Sequence, residues 1–247
     1  MKTLFISDLH LDNSRPQVMR AFLEFLDQKA TQVDELYILG DLFEVWVGDD
    51  DENDFVNEIK AHMQHLSNRG TRIYIMHGNR DFLIGRRFCR QTGSVLLKDP
   101  TVINLNGEPV LLMHGDSLCT DDFAYQKFRR KMRHPLSKFA LNILPLKKRK
   151  AIADDLRRKS REHNANKAEY IMDVNKVAVK DVMREHQVVT LIHGHTHRPD
   201  IHAVKFSGRT AQRIVLPDWE DSIGWLEVTH DGSKNYYELK SEPITDE

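Results

Sequence analysis

Five short apolar segments, each followed closely by Asp, Asn or His, constrain the fold of this chain most strongly. The segments are residues 3–6, 36–39, 72–76, 109–113 and 188–192, and each has the length of a buried strand. The polar residues that follow them are Asp8 and His10, Asp41, Asn79, His114, and His195 and His197. Functional groups of α/β sheets gather beyond the carboxyl ends of the strands. The sequence therefore predicts a sheet with ligand-type side chains along one edge.

The segment 191–197 gives the clearest sign of chemistry, because it contains three histidines in five positions. His193, His195 and His197 are separated by Gly194 and Thr196. Alternate residues of an extended chain point the same way, so His195 and His197 can face one point. Neutral imidazole is a common ligand of Zn, Mn, Fe, Ni and Cu ions. We expect His193, and His77 elsewhere in the chain, to serve as structural residues or as hydrogen-bond partners of ligands.

The number of candidate ligands predicts two metal ions. Seven ligands are too many for one ion with open positions, but they suit two ions about 3.5–4 Å apart if a carboxylate bridges them. Asp41 is the candidate bridge, and the mixed histidine and carboxylate set favours Mn, Fe or Zn over Ca or Mg. Taken singly, Asp8 is better explained as a helix cap and Asn79 as a turn residue, and His114 is consistent with a core histidine. The joint pattern carries the prediction.

The order of the predicted elements indicates an α/β layered protein. Helical spacing covers residues 15–28, 55–66 and 82–91, between the first strands. Further strands are predicted at 95–97, 102–105, 201–206, 212–216, 225–228 and 236–239, and Asn106-Gly107 predicts a hairpin turn. This alternation is typical of a layered α/β core.

Residues 122–186 differ from the rest, because they are helix-rich, basic and without strand signals. Pro135 and Pro145 divide the region into segments. We therefore predict a core of residues 1–121 and 187–247 and a helical insertion at 122–186. Residues 127–161 hold 14 Lys or Arg and two Asp, although the whole chain has a formal net charge of -1. Two interpretations remain open, a basic face for an anionic partner and a solvated helical surface.

Cysteine content and hydropathy bear on the cellular compartment in which we expect the chain to function. Cys89 and Cys119 form neither a metal-binding spacing nor a disulfide framework, which favours a reducing compartment. Asp8 and His10 interrupt the first apolar run too early for a signal peptide. No run approaches the roughly 18 apolar residues of a membrane-spanning helix.

The motifs, taken together and in order, resemble those of the calcineurin-like metallophosphoesterases. They are Asp8-Leu9-His10, Gly40-Asp41, Gly78-Asn79-Arg80-Asp81, His114-Gly115-Asp116 and Gly194-His195-Thr196-His197. The resemblance implies a β-sandwich flanked by helices with a di-metal centre. It implies one metal on Asp8, His10, Asp41 and His197. It implies the second metal on Asp41, Asn79, His114 and His195.

Arg80 departs from the pattern of that family, since many members carry a histidine at this position. That histidine is assigned the role of general acid or of transition-state stabiliser. An arginine does not give up a proton at neutral pH, but its guanidinium can stabilise developing charge on a phosphoryl group. The resemblance implies a catalytic set of Asp41, Asn79, Arg80 and His114.

Residues 37–44, 46–50, 78–83 and 171–175 resemble a narrower group of this family, hydrolases of the lipid A pathway. The resemblance implies cleavage of the pyrophosphate of UDP-2,3-diacylglucosamine into UMP and 2,3-diacylglucosamine 1-phosphate, with water attacking the uridylyl phosphorus. It implies two Mn²⁺ ions, although the ligand types admit other divalent transition metals. It also implies a peripheral location on the cytoplasmic face of the inner membrane.

The resemblance gives the insertion a role as a lid for a lipid substrate. It implies that the head group is contacted by Asn79, Arg80, Asp122, Ser160, Asn164, Lys167 and His195. Ser160, Asn164 and Lys167 have the spacing of one helix face. An apolar wall is predicted from Phe139, Leu141, Ile143, Leu144 and Leu146, followed by a basic rim at 147–150; alternatively, these apolar residues pack the insertion's own helices. Each Lys or Arg near an anionic membrane surface contributes about 1 kcal/mol. Tyr125 is a weaker candidate for the same site.

Two other functions stay open at this point. The same metals could act on a nucleotide, a phosphoprotein or a nucleic acid, but the basic segment lacks aromatic residues spaced for base stacking, so nucleic acid is not expected. A binding module that has lost catalysis is the other alternative. It is disfavoured because all seven candidate ligands are present.

Overall fold

The computed structural model describes residues 2–164, 173–206, 208–231 and 235–244. The core consists of two β-sheets stacked face to face, with helices on their outer faces. The first sheet has six strands: β1 (Lys2–Ile6), β2 (Glu35–Ile38), β3 (Arg72–Met76), β4 (Ser94–Leu97), β10 (Ser222–His230) and β11 (Asn235–Pro243). Their order is β11-β10-β1-β2-β3-β4. Strands β1 to β4 are parallel, and β10 and β11 extend the sheet in antiparallel fashion.

The second sheet contains five strands: β5 (Thr101–Leu105), β6 (Glu108–Leu112), β7 (Thr190–His193), β8 (Asp200–Phe206) and β9 (Arg209–Val215). Their order is β5-β6-β7-β9-β8. The three central strands β6, β7 and β9 run parallel. The carboxyl ends of β6 and β7 therefore lie side by side, which brings the residues after position 112 close to those after position 193.

Side chains along a strand point alternately to the two faces of its sheet, so one set lies between the sheets and the other lies under the helices. Phe5 faces the space between the sheets, where it packs with residues of both sheets, while Leu4 and Ile6 face the helices outside the first sheet. All three side chains are at most 1% exposed. A strand buried on both faces reads as a continuous apolar run, which explains why β1, β2 and β7 were visible in the sequence.

Three helices cover the first sheet: α1 (Pro16–Gln28), α2 (Asp54–Asn68) and α3 (Arg86–Thr92). Helix α3 begins four residues later than the sequence predicts. The cause is Asp49, whose carboxylate accepts hydrogen bonds from the backbone N–H groups of Gly85, Arg87 and Phe88. The first backbone N–H groups of a helix have no partners within the helix. Asp49, which is distant in sequence, supplies those partners and so determines where α3 begins.

The helices of the insertion are α4 (Phe123–Arg133), α5 (Pro135–Asn142), α6 (Leu146–Asn164) and α7 (Lys176–Glu185). Pro135 is the first residue of α5, and Pro145 directly precedes α6. No side chain of α4 or α5 is buried. Helix α7 behaves differently, because Val179 and Met183 belong to the apolar cluster on the outer face of the second sheet. We therefore use the word lid for α4 to α6 only.

The fold class predicted from the sequence is confirmed as a mixed α/β protein with two sheets. Within the described residues, no helix combines the length and the apolar character needed to cross a bilayer. The strands predicted at 95–97, 102–105, 201–206, 212–216, 225–228 and 236–239 are all present, with ends that shift by up to four residues.

Candidate metal centre

The first group of potential ligands consists of Asp8, His10 and His197. One ligand atom from each lies within 4.8 Å of the others. Asp8 and His10 follow β1, whereas His197 follows β7, so the group joins the two sheets. The Nε2 atom of His197 lies 3.7 Å from Oδ1 of Asp8.

The second group consists of Asp41, His114 and His195, and its ligand atoms also lie within 4.8 Å of one another. His114 is fully buried. Its ring centroid is 5.0 Å from that of His195. Asp41 follows β2 in the first sheet, while His114 and His195 follow β6 and β7 in the second. This group therefore also spans the sheets.

Asp41 lies between the two groups, as a bridging ligand would. Its Oδ2 atom is 3.9 Å from Nε2 of His10 and 3.8 Å from Nε2 of His114. Its Oδ1 atom accepts a hydrogen bond from the backbone N–H of Arg80, at 2.8 Å. The hydrogen bond fixes one oxygen of the carboxylate and leaves the other between the histidines.

Asn79 lies beside the second group. Its Oδ1 atom is 3.0 Å from Nε2 of His114, on the side of the ring that faces Asp41. The structure thus brings all seven residues predicted as ligands to the junction of the two sheets. Their assignment as ligands is part of the proposal below.

Several of the same residues have an unusual backbone conformation. Among the described residues outside glycine, seven have a positive φ angle, and five of these are candidate ligands: Asp8, His10, Asp41, His195 and His197. A left-handed conformation is unfavourable for residues with a Cβ atom. It persists where the surrounding structure enforces it, and such strain concentrates at functional sites.

Gly194 permits the two sheets to approach at the first group. A Cβ atom at this position would lie 2.2 Å from both Oδ2 of Asp8 and Oγ of Ser7. Those two atoms are hydrogen-bonded to each other at 2.6 Å, and Oδ2 of Asp8 also accepts the backbone N–H of His195 at 2.8 Å. Any side chain larger than hydrogen would therefore displace the Asp8 carboxylate.

Outer ring nitrogens of three of the candidate histidines lie near oxygen atoms. Nδ1 of His10 lies 2.8 Å from Oε2 of Glu44, and Nδ1 of His197 lies 3.3 Å from Oδ2 of Asp218. Nδ1 of His114 is 2.9 Å from the carbonyl oxygen of Leu39. Such partners fix the ring tautomer so that Nε2 is free to bind a metal. The sequence analysis did not identify Glu44 or Asp218, since neither carries a ligand signal of its own.

The two histidines expected to be structural make other contacts. Nε2 of His77 is 2.7 Å from the carbonyl oxygen of Ile84. His193 is fully buried, and its Nδ1 is 2.8 Å from the carbonyl oxygen of Gly194. Burial lowers the pKa of His193 to about 3, assisted by the nearby Arg213. Both rings are absent from the two ligand groups.

Two buried atoms and two pKa shifts at the centre fit a divalent cation, whereas the raised pKa of His197 means that this ring must lose a proton to bind one. Oδ1 of Asp8 and Nε2 of His10 are buried without a hydrogen-bond partner among the described residues, which leaves an unpaired donor set aimed at the same space. Burial by itself raises the pKa of Asp8, but contacts with His197 and His114 outweigh it and lower that pKa. Burial lowers the pKa of His195 to about 4, with a further contribution from His114. An ionised carboxylate and a neutral imidazole are the forms that bind metals.

The predicted substrate contacts are only partly described. The side chain of Asp122 is buried and caps helix α4 by accepting the backbone N–H of Tyr125 at 3.0 Å. Ser160 lies on α6 and is half-buried. The side chain of Asn164 and the whole of Lys167 lie outside the described residues.

Tyr125 connects the lid to the second ligand group. Its ring stacks on that of His195, with centroids 6.2 Å apart and an interplanar angle of 23°. Its hydroxyl donates a hydrogen bond of 2.7 Å to Oδ2 of Asp116. The same oxygen accepts hydrogen bonds from Arg129 and Arg133, at 2.8 and 3.0 Å. Asp116 is fully buried, so this network anchors α4 to the loop after β6.

The basic segment is therefore only partly a free surface. In addition to Arg129 and Arg133, three of its cations pair with acidic residues of the loop after β2: Arg149 with Asp50, Lys150 with Asp51 and Arg157 with Glu44. Arg149 is 4% exposed and also donates to the carbonyl oxygen of Val47, so it does not belong to the predicted basic rim at 147–150. These pairs attach α6 to the core.

Comparison with known proteins gives the class. Residues 1–199 match the family model described as "Calcineurin-like phosphoesterase". The chain belongs to the calcineurin-like phosphoesterase family and is a metal-dependent hydrolase. The family resemblance drawn from the sequence motifs is confirmed.

Curated relatives narrow the comparison further. A protein of Azotobacter vinelandii is 52% identical over 244 residues, which cover 99% of this chain and all of the relative. One of Ectopseudomonas mendocina is 56% identical over 230 residues, covering 93% of this chain and 95% of the relative. One of Marinobacter nauticus is 51% identical over the full length of both chains. All three relatives are named UDP-2,3-diacylglucosamine hydrolase.

Proposed function

We propose that this chain hydrolyses the pyrophosphate bond of UDP-2,3-diacylglucosamine, a reaction of lipid A biosynthesis, and releases UMP and 2,3-diacylglucosamine 1-phosphate. The observation that carries the proposal is the pair of ligand groups with the Asp41 carboxylate between them. The chain also has relatives, similar over nearly their full length, whose names contain that substrate. A diphosphate offers adjacent anionic oxygens to such a pair.

The proposed ligand sets divide the seven residues between two cations. Asp8, His10, Asp41 and His197 hold the first, and Asp41, Asn79, His114 and His195 hold the second. When bound, the ions make a water molecule nucleophilic near pH 7 and offset charge on the phosphoryl oxygens. The donor set of imidazole and carboxylate groups supports Mn²⁺, and it also admits Fe or Zn.

The residues of the chain have separate roles in this proposal. The water oxygen forms a bond to the uridylyl phosphorus, and the bond from that phosphorus to the bridging oxygen breaks. The electron pair leaves with 2,3-diacylglucosamine 1-phosphate, and the proton of the water passes to solvent. Arg80 stabilises the added charge at phosphorus through its guanidinium. Oδ1 of Asn79 and Nε2 of His114 are 3.0 Å apart, so these two side chains hold each other in position beside Asp41.

The lid forms the proposed binding site for the acyl chains. Phe123, Phe139 and Ile143 are 81%, 66% and 67% exposed, and Leu136 is 72% exposed. A group of four large apolar side chains that are each at least 66% exposed indicates a binding site for an apolar ligand or surface. The predicted head-group contacts are Asn79, Arg80, Asp122, Ser160, Asn164, Lys167 and His195, which bring the sugar between the lid and the second ligand group.

The same surface supports peripheral binding to the cytoplasmic face of the inner membrane. Lys127, Arg130, Lys131, Lys147 and Lys148 are exposed and have no ion partner among the described residues. Cations next to exposed apolar groups bind anionic lipid headgroups while the apolar groups enter the interface. The protein should co-sediment with vesicles of phosphatidylethanolamine and phosphatidylglycerol. The F139S/I143S variant should show a smaller fraction of co-sedimenting protein.

Product identification tests the function directly. Purified protein incubated with UDP-2,3-diacylglucosamine and Mn²⁺ should release UMP and 2,3-diacylglucosamine 1-phosphate in equal amounts. In ¹⁸O-labelled water, the label should appear in UMP. Label in the lipid phosphate would contradict attack at the uridylyl phosphorus. Absence of UMP, with turnover of other phosphoesters, would contradict the substrate.

A further inference from the structure

A cavity of about 450 Å³ opens beside the first ligand group, and neither Tyr125 nor His195 is among the residues that line it. Its volume lies within the roughly 300–1,000 Å³ of small-molecule sites. The cavity is lined by residues of six separate segments of the chain: Asp8 to Arg15, Glu44, Arg80, Arg157 of α6, His197, and Asp218 to Glu220. None of the roles proposed above uses Asp12, Ser14 or Glu220.

Two guanidinium groups of this cavity lack a complete set of partners. The Nε atoms of Arg80 and Arg157 are buried and have no hydrogen-bond partner among the described residues. A buried donor without an acceptor is costly, by about 1–3 kcal/mol. A phosphate oxygen is the acceptor that suits a guanidinium best. The cavity is therefore lined by two arginines, each with an unsatisfied donor, next to the proposed metal ions.

Hydrogen bonds within the chain hold the residues that line the cavity. Oδ1 of Asp12 accepts hydrogen bonds from the backbone N–H and the Oγ of Ser14, at 2.9 and 2.6 Å. Arg15 donates to the carbonyl oxygens of Trp219 and Glu220, at 2.8 and 2.9 Å. Preformed walls with a few polar groups are typical of a specific small-molecule site.

The two ligand groups face different surroundings. The second group lies against α4 and the apolar surface of the lid, which suits the lipid half of the substrate. The first group opens to the polar cavity, where the side chain of His197 is 39% exposed. A diphosphate centred on Asp41 therefore extends one arm towards helix α4 and the other into the cavity.

We infer that this cavity binds the nucleoside monophosphate half of the substrate. Arg80 and Arg157 are the donors to its phosphate, and Asp12 and Ser14 contribute hydrogen-bonding groups for the ribose or the base. The inference rests on the proposed function for the identity of the nucleotide. It gives roles to Asp12, Ser14 and Arg157, which are neither proposed metal ligands nor proposed head-group contacts, in a cavity that Asp8, His10, Arg80 and His197 also line.

Calorimetric titration of UMP into the Mn²⁺-loaded protein tests the subsite without turnover. Wild type should bind UMP at least tenfold more tightly than inorganic phosphate, because phosphate alone contacts only the ions and the arginines. D12A should weaken UMP binding about tenfold. S14W, at an exposed rim position, should abolish the gain over inorganic phosphate by filling the cavity. Both variants should bind inorganic phosphate as wild type does.

D181A provides the matched control, because Asp181 pairs only with Arg184 on the exposed face of α7. It should leave UMP binding unchanged. Inhibition by 2,3-diacylglucosamine 1-phosphate should be equal in wild type, D12A and S14W. A loss of lipid inhibition instead of UMP binding would assign the cavity to the lipid half and overturn the inference. Equal affinity of wild type for UMP and phosphate would also overturn it.

The proposed function fails separately from the subsite. If wild type binds UMP through the cavity but releases none from UDP-2,3-diacylglucosamine, the nucleotide site stands and the lipid substrate is wrong. If wild type releases UMP while D12A and S14W bind UMP normally, the function stands and the nucleotide half lies elsewhere.

Discussion

Glu44 lies 2.8 Å from His10, measured between Oε2 and Nδ1, and the other oxygen of the same carboxylate pairs with Arg157 on the lid helix α6. Burial by itself raises the pKa of Glu44, but the contacts with His10, Arg80 and Arg157 lower it to about 2. The carboxylate is therefore ionised at neutral pH. It holds the proton of His10 on Nδ1 and leaves Nε2 free for a metal.

Replacement of Glu44 by Gln should weaken metal binding at the first ligand group. The loss of an outer carboxylate partner typically reduces metal affinity about 10–100-fold. Titration with Mn²⁺, followed by electron paramagnetic resonance of the free ion, should show one weakened and one unchanged site. D155N is the control, since Asp155 makes only exposed pairs on α6. Two unchanged sites in E44Q would contradict the role of Glu44.

Gly194→Ala should disrupt the first ligand group selectively. The added methyl would lie 2.2 Å from Oδ2 of Asp8, so that carboxylate must move away from His197. We expect loss of one bound metal ion per chain, measured by metal analysis after gel filtration. Gly107→Ala is the control for backbone strain away from the centre, because Gly107 has a positive φ of 91° and nothing lies within 4 Å of a Cβ atom there; it should retain both ions. Retention of both ions in G194A would show that the Asp8 position is not needed.

Asp116→Ala should destabilise the protein strongly. Asp116 is fully buried and accepts hydrogen bonds from Tyr125, Arg129 and Arg133. Removing one partner of a buried ionic network typically costs about 3–5 kcal/mol, because the remaining charges stay buried. Urea unfolding should measure this loss, and hydrogen exchange should be fastest in α4. R184A should change stability by less than about 1 kcal/mol, since the pair it removes is exposed. A comparably small change in D116A would mean that α4 is held by other contacts.

Metal binding should release protons at pH 8. Burial by itself lowers the pKa of His197, but Asp218 and Asp8 outweigh it and raise it to about 10 in the metal-free protein. The ring is thus protonated at pH 8 and must lose its proton to bind a metal, so metal affinity should fall as the pH decreases. Calorimetry in buffers of different ionisation enthalpy should detect a release of roughly one proton per chain. D218N should decrease that number, and a wild-type value near zero would contradict the assignment.

The sequence predicted those features that depend on local pattern. The strands leading to Asp8, Asp41 and His195 are buried on both faces, so they appear as apolar runs whose ends are well defined. The candidate ligands follow those ends directly, and the parallel arrangement of the strands brings them to one edge. Local pattern therefore located both the sheets and the centre.

Features that depend on contacts between distant residues were not visible. Glu44 and Asp218 gain their roles only because the fold brings them next to His10 and His197. The start of α3 depends on Asp49, 36 residues earlier in the chain. The sequence left open whether residues 127–161 form a free basic surface. It does not show that Arg149 and Arg157 have acidic partners more than 90 residues away.

The order of the ligands along the chain has a consequence for biosynthesis. The first ligand is residue 8 and the last is residue 197, and each ligand group needs residues on both sides of the insertion. On the ribosome, neither group is complete until residues 195 and 197 have been made. The proposed cations would therefore enter a chain of which about four fifths has been synthesised, and a chain truncated after the lid would emerge without either complete group.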